Sequence, residues 1–441
     1  MAFLISGDRL RFYSNRLRER LWIKPLVICF LSAGAAFVAH LADDTGLGKL
    51  VPDIAVESIE TLLSVMAASM LVIATFAVAS MVSAYASASS SATPRAFTLV
   101  LADDVSQSAL SRFIGAFIFA IVALTAVKNA YFGTAGLFTL FVLTAMVFGI
   151  VIFTFVRWVD RIARLGRLGS TIDRVEQATA AAMKRRLAAP RLHGAPPGPP
   201  AGRGQAVYAS SIGYVQHVDM ATLQACAESA HGRVEVAALP GVFAAPGRAL
   251  AYVNDGAGEA DRIDRDRVAA AFRIGGDRLF EDDPRFGLVV LSEIAGRALS
   301  PAVNDPGTAI DIIGTLVRLF AQWHGEPESE KPKEPVEPRY DRVEVAEISL
   351  DDMFDDAFRS IARDGAGMVE VVVRLEKAFD SLATLGDAQM RATAQRHARL
   401  AFKRAEAGLA MAEDLAMARE AAAFALETDL SVVGEEKSIP H

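Results

Sequence analysis

The most distinctive stretch bearing groups able to bind or position a charged ligand lies between residues 282 and 309. Asp282-Asp283-Pro284-Arg285-Phe286-Gly287-Leu288 opens a helical pattern carrying Glu293 and Arg297. Ala298-Leu299-Ser300-Pro301-Ala302-Val303-Asn304-Asp305-Pro306-Gly307-Thr308-Ala309 closes it. Arg285 and Arg297 offer forked guanidinium donors, Glu293 and Asp305 carboxylate acceptors, and Asn304 and Thr308 groups that both donate and accept. These six residues form the candidate ligand or assembly site. They also admit a purely structural reading: Ser-Pro and Asp-Pro each match an N-cap followed by proline at the first helical position, which predicts two capped helix starts joined by a tight turn.

Motifs of enzymatic chemistry are missing elsewhere. The sequence has no glycine-rich loop ending in Lys-Ser or Lys-Thr, and no His-Glu-x-x-His, Gly-x-Ser-x-Gly or Cys-x-x-Cys. His217 and Asp219 fall two apart, a spacing that shares one strand face, but a pair of ligands without a third reads as two polar side chains facing solvent. Cys29 and Cys226 lie in regions of different character, so neither a disulfide framework nor a paired-thiol site is expected. An enzyme is the least favoured class, and no metal or cofactor is expected.

The elements that must hold these groups begin with hydrophobic helices. Mean hydropathy is +0.30, and 52% of the 441 residues are hydrophobic, which implies two regions facing different solvents. Residues 23–42, 62–85, 113–131 and 137–156 each carry little charge and each can cross a hydrocarbon core of roughly 30 Å. Arg9, Arg11, Arg16, Arg18, Arg20 and Lys24 precede the first span, and Arg157, Arg161, Arg164 and Arg167 follow the fourth. The loop after span one is acidic, so both termini are expected in the cytoplasm. Trp22 and Trp158 are expected as interfacial aromatics on the inner side. No Asp or Glu falls inside a span, which argues against a proton- or sodium-coupled carrier.

Span two differs in composition. From 61 to 94 no residue is charged and 20 of the 34 are Ala, Ser or Thr. Ser80, Ser83, Ser87 and Ser90 recur at helical spacing on one face, either lining a watered path or letting helices pack closely. Beyond span four, the spacing of Arg157, Arg161, Arg164 and Arg167 keeps four guanidinium groups on one side of a continued helix, as candidate headgroup contacts. Residues 157–186 hold eight Lys or Arg against three Asp or Glu, within a chain of net charge −7. The acidic remainder gives no reason to expect nucleic acid, whereas the basic segment suits anionic lipid.

The fold class expected is mainly α: a four-helix transmembrane domain, then a small β unit and a helical cytoplasmic domain. The divisions are a basic N-terminus (1–22), the transmembrane domain (23–156), a basic juxtamembrane helix (157–190), a Pro/Gly linker (191–206) and a β-rich unit (207–256). A helical domain bearing the 282–309 motifs (262–324), an acidic, Pro-rich disordered insertion (325–345) and C-terminal helices (346–428) follow. Phe354, Phe358 and Ile361 mark a packing stripe rather than a cofactor box.

With these motifs assembled, the chain resembles the bacterial predicted membrane protein family called domain of unknown function 2254, over nearly its whole length. The matching positions are Arg20 to Pro25, Pro94-Arg95 with Gln107, Gly213-Tyr214-Val215-Gln216 with Asp219, Pro240-Gly241 with Pro246-Gly247, and the two motifs between Phe286 and Ala309. The resemblance implies the same membrane layout, in a bacterial inner membrane, and carries no catalytic assignment. Two readings stay open: a membrane-anchored sensing or scaffold protein whose cytoplasmic part binds a ligand or partner, and a homo-oligomeric channel lined by span two.

Overall fold

A computed structural model describes residues 23–41, 43, 51–91, 93–96, 99, 104–164, 167–198, 204–255, 262–325 and 337–435. The molecule is mainly helical with small sheets. It divides into two compact units, Met1–Thr171 and Ile172–His441.

The first unit contains α1 (Ile23–Leu41), α2 (Val56–Ser91), α3 (Asp104–Lys128) and α4 (Thr134–Arg164). Three described stretches are long and apolar enough to cross a membrane: Val56–Ser87, Val105–Lys128 and Thr134–Ala163. α1 is 19 residues long and is not among those three. α3 is central, packing against α1, α2 and α4. α2 buries Ile59, Leu63, Met66, Met70, Ala74, Ala77 and Met81, a stripe at three- and four-residue spacing, and turns Val65, Val72, Phe76 and Val82 outward. Asp43 closes the end where α1 approaches α4. Its carboxylate accepts from the backbone N–H groups of Gly133 (2.8 Å) and Gly136 (2.7 Å), satisfying donors that the start of α4 leaves open.

Two expectations fail here. Trp158 is not an interfacial aromatic; it is fully buried, its ring 6.1 Å from Phe76, 6.3 Å from Phe113 and 6.1 Å from Phe155. The inward side of α4 needed a large apolar body, and Trp supplies one. The continuous arginine helix is also broken: α4 ends at Arg164 and α5 (Leu168–Ala188) starts after Arg167, so the four arginines do not share one helix. Trp22 lies outside the described residues.

In the second unit, β1 (Gly194–Ala195), β2 (Gln205–Tyr208), β3 (Gly213–Val218), α6 (Met220–Ser229), β4 (Arg233–Val236), β5 (Phe243–Ala244), β6 (Ala249–Asn254), α7 (Arg265–Ala270) and β7 (Phe272–Gly275) follow α5. Next come α8 (Pro284–Ala298), α9 (Pro306–His324), β8 (Tyr340–Val345), α10 (Leu350–Asp364), α11 (Val369–Leu385), α12 (Ala388–Gly408) and α13 (Ala412–Glu435). The strands form a five-stranded sheet of order β1-β8-β4-β6-β2 and a three-stranded sheet of order β5-β3-β7. β8 pairs parallel with both β1 and β4, and the remaining pairings are antiparallel. Leu223 and Cys226 of α6 pack with Val234, Val236, Leu250, Val253, Val343 and Val345 into the sheet core.

The β region is therefore larger than residues 207–256. β8 falls in the stretch assigned to the disordered insertion, because Val343 and Val345 are buried against β4, whose paired residues Val234 and Val236 lie 109 positions earlier, and Tyr340 pairs with Gly194 of β1, pairings no local signal reveals. β7 falls in the region assigned to helices. The helical part packs α8 to α13 around Phe320, Phe354, Phe358 and Phe379, whose rings lie 4.6 to 6.3 Å apart, with Ile361 also fully buried. The stripe of Phe354, Phe358 and Ile361 is packing, as its spacing implies.

Candidate functional site

The six residues proposed from the 282–309 motifs do not form one constellation. Arg285 lies at the start of α8 and Asp305 beyond its end, separated by a 15-residue helix of about 20 Å at 1.5 Å per residue. Arg285 is an interhelical clamp: its Nε donates to Asp356 at 2.6 Å and its Nη1 to Asp352 at 2.8 Å on α10. Asp305 is the N-cap of α9. It accepts from Thr308 N at 3.1 Å and Thr308 Oγ1 at 2.5 Å, and the Thr308 hydroxyl bond holds its carboxyl below the usual range. Asn304 takes φ 50°, the left-handed conformation that Asn tolerates, and Asp305 N donates to Ala298 O at 2.8 Å. Ser300-Pro301 does not start a helix, because Val303 N and Asn304 N both bond back to Ser300 O and close a single turn. Glu293 is half-buried and Arg297 exposed. The capping reading accounts for Asp305 and Thr308.

What the structure does bring together is a buried polar junction that several separated motifs share. Asp283, the N-cap of α8, is 3% exposed; it accepts from Phe286 N and takes a 2.7 Å bond from Arg278 Nε. Burial pushes its carboxyl upward, and the Arg278 bond opposes that shift. Gly241 meets it: a Cβ there would lie 2.3 Å from Asp283 Oδ2, and φ 93° favours glycine independently. Gly241 N donates to Val215 O, joining the Gly213-to-Gln216 strand to the same point. Phe286 packs against Phe280, ring centres 4.6 Å apart and planes tilted by 46°, beneath Arg278. Gly287 lets α8 touch α5, since a Cβ there would fall 1.8 Å from Thr179 Oγ1. His217 Nδ1 meets Asp282 at 2.7 Å, while Asp219 caps α6 by accepting from Thr222 N.

Arg186 of α5 completes the junction. It is 4% exposed, and neither Nη1 nor Nη2 has a hydrogen-bond partner among the described residues. Burial lowers its pKa while Asp282 and Asp283 pull it back up; a guanidinium stays charged. The sequence signal for it was present but absorbed into the basic segment. Val175, Thr179, Ala182, Met183 and Arg186 repeat at four, three, one and three residues and are all buried, so Arg186 occupies a position on the packing stripe. Arg185 beside it donates to Glu281 O, so this end of the basic segment serves contacts within the protein.

Arg186 also borders a recess of about 490 Å³ with Trp323, Glu347, Ser349, Leu350, Asp387 and Met390. Ser349 Oγ accepts from Asp352 N and Asp387 Oδ1 from Met390 N, so the N-terminal ends of α10 and α12 both border it. Glu347 is held by Arg191 at 2.6 Å. A second recess, of about 790 Å³, is lined by Ala180, Ala181, Met183, Leu187, Ala321 and Leu385, with Lys184 as its ammonium group. The two share Leu187 and His324. Together they make a cleft along α5 and α9 with an apolar arm and a polar arm, the combination small-ligand sites use. Among the described residues no group of three or more His, Cys, Asp or Glu could hold a metal ion.

The remaining expected residues belong to the first unit. Ser80 is half-buried while Ser83 and Ser87 are exposed, away from the stripe that packs on α3; nothing is described of the Ser90 side chain. Arg157 and Arg167 are exposed and Arg161 is half-buried. The Arg164 side chain lies outside the described set.

A family model described as Predicted membrane protein (DUF2254) matches residues 18–381. Uncharacterized proteins of Mycobacterium bovis and Mycobacterium tuberculosis are 32% identical to the chain over 124 residues, which is 27% of this chain and 24% of each relative's length. The match thus spans about a quarter of those relatives. No solved structure matches.

Proposed function

We propose that this chain, which belongs to the DUF2254 family of predicted membrane proteins, is a membrane-anchored sensor whose second unit takes a small amphipathic ligand in the cleft along α5 and α9. The layout proposed is four spans in a bacterial inner membrane with both termini cytoplasmic. The length of α1, about 28 Å at 1.5 Å per residue, and its packing on α3 and α4 support a fourth span. The observation that carries the ligand reading is the pairing of an apolar recess with a polar one on the helix that follows the last span in the chain. A ligand there touches Leu187, and its occupancy bears on α5.

Bromododecanoate, an amphiphile whose bromine quenches indole fluorescence, tests this with the full chain in detergent. Saturable quenching of the Trp323 component, abolished in Trp323→Phe and weakened at least about tenfold when Ala181→Phe fills the apolar arm, is expected. Quenching that stays linear in probe, or that Ala181→Phe leaves unchanged, sinks the reading.

A second reading, the homo-oligomeric conduit, is favoured by the exposure of Ser83 and Ser87. A hydroxyl face turned away from the protomer's own helices suits a path between copies. Cysteines at 83 and 87 should then react with a charged thiol reagent and alter conductance in planar bilayers. Absence of conductance before and after labelling removes this reading.

A further inference from the structure

The first unit holds a basic recess that the ligand cleft does not account for. It lies between α3 and α4, has a volume of about 230 Å³, and is lined by Val105, Ser108, Ala109, Arg112, Thr154 and Arg157. The residues on each helix sit three or four apart, so each set shares one face. Arg112 Nη1 donates to Thr154 Oγ1 at 2.9 Å, across 42 positions of sequence, which fixes one guanidinium with most of its five donors still available. Arg157 lies over the Phe153 ring at 5.7 Å. Two cations and two hydroxyls thus converge, and among the described residues none of the lining side chains is acidic. Asp160, the next acidic residue along α4, lies one turn further on.

Its depth is informative. Arg112 is sixteen residues from Lys128 at the other end of α3, about 24 Å at 1.5 Å per residue. The hydrocarbon core is roughly 30 Å thick, so with Lys128 at one headgroup layer the recess falls close to the opposite one. An arginine exposed in mid-bilayer would be costly, whereas one at a headgroup meets phosphate oxygens with its fork.

We propose that the Arg112, Thr154 and Arg157 recess binds the phosphate group of an anionic phospholipid, with the acyl chains against the exposed apolar side chains of α4. Phosphate is the recognised chemistry, and inorganic phosphate could present it too. A lipid is assigned because Ile150, Ile152, Phe153 and Val156, exposed on the same helix, provide the apolar flank that a free ion does not use. This binding site is independent of the cleft on α5.

The test is native mass spectrometry of the full chain released from detergent, titrated with phosphatidylglycerol and with phosphatidylcholine of identical acyl chains. One retained phosphatidylglycerol, preferred about tenfold over phosphatidylcholine, is expected: both lipids present a phosphate to the guanidinium groups, but the choline cation of phosphatidylcholine is repelled by Arg112 and Arg157, whereas phosphatidylglycerol keeps its net negative charge. Arg112→Gln should abolish the preference, and Lys128→Gln, at the other end of α3, should leave it intact. Because Arg112→Gln also removes the bond to Thr154 and could unfold the helix pair, Arg157→Gln provides the second variant; its side chain is exposed, and the preference should fall severalfold. Equal retention of the two lipids, or a preference that survives both arginine variants, overturns the proposal. Displacement of the lipid by millimolar inorganic phosphate overturns the assignment of a lipid as the source.

Discussion

The two units bury polar groups in opposite ways. In the membrane unit Thr154 meets Arg112 across two helices, but Ser111 and Thr144 are satisfied by their own helix: Ser111 Oγ donates to Gln107 O and Thr144 Oγ1 to Leu140 O, each one turn back. Such groups need nothing from a neighbouring helix. The second unit instead buries ionisable groups, Arg186, Asp283, Glu376 and His397, whose environment must come from other elements or be lacking. Self-satisfied hydroxyls allow helices to slide and repack, whereas buried charge locks one arrangement and responds to whatever neutralises it. The junction around Asp283 and the cleft beside Arg186 are therefore where the second unit has chemistry to offer a ligand.

The largest effect that tests this contrast is expected from Asp283→Ala. The change leaves Arg278 and Arg186 without their buried carboxylate, so the second unit should lose about 4 kcal/mol, read as a fall in its unfolding midpoint. A loss below about 1 kcal/mol would mean the junction is hydrated and the contrast false. Next is Gly287→Ala, whose Cβ has no room against Thr179 and should cost about 3 kcal/mol. Gly149→Ala on α4 has open space and should change stability by less than about 0.5 kcal/mol.

The degree to which these features were legible follows the same division. Hydropathy alone marked α2, α3 and α4. The Pro-Gly turns, the Asp-Pro caps and the aromatic stripe of α10 were local patterns and were readable as such. Asp283 was visible as a cap, but not as the meeting point of Arg278, Gly241 and Arg186, which lie 5, 42 and 97 residues away. β8 escaped because a parallel strand pairs with distant chain. Arg185 and Arg186 were read with the arginines near the headgroups, since charge counts do not distinguish a basic face from an arginine on a packing stripe. The spread of Arg285 and Asp305 to opposite ends of α8 follows from helix rise, and a reading by density of polar residues ignored it.

Glu376 gives a pH signature of intermediate size. It is fully buried on α11, both carboxyl oxygens lack a hydrogen-bond partner among the described residues, and burial pushes its pKa up to about 9. An unfolded glutamate titrates near 4.5. The folded state therefore holds the proton more tightly, so this contribution to stability is complete below about pH 4.5 and is lost as pH rises toward 9. The loss is about 1 kcal/mol per pH unit in that window. His397 runs the other way: burial lowers it to about 4, so its contribution is present above about pH 6.5 and lost as pH falls toward 4. Glu376→Gln should flatten the alkaline slope and raise stability at pH 8. An unchanged slope in that variant assigns the titration to another group.

The smallest expected effect bears on the membrane unit. Thr144 is fully buried and its hydroxyl bonds to Leu140 O within α4. In Thr144→Val the shape is nearly kept, one side-chain bond is lost, and the Leu140 carbonyl retains its helical partner. No unsatisfied group is left behind, because donor and hydroxyl oxygen vanish together. Thermal unfolding of the full chain in detergent should shift by the equivalent of less than about 0.5 kcal/mol, in either direction. A loss of about 2 kcal/mol would mean that Thr144 reaches across to another helix, as interhelical hydroxyls in membranes do. Buried hydroxyls would then hold the membrane helices in register, and the two units would bury polarity by the same rule.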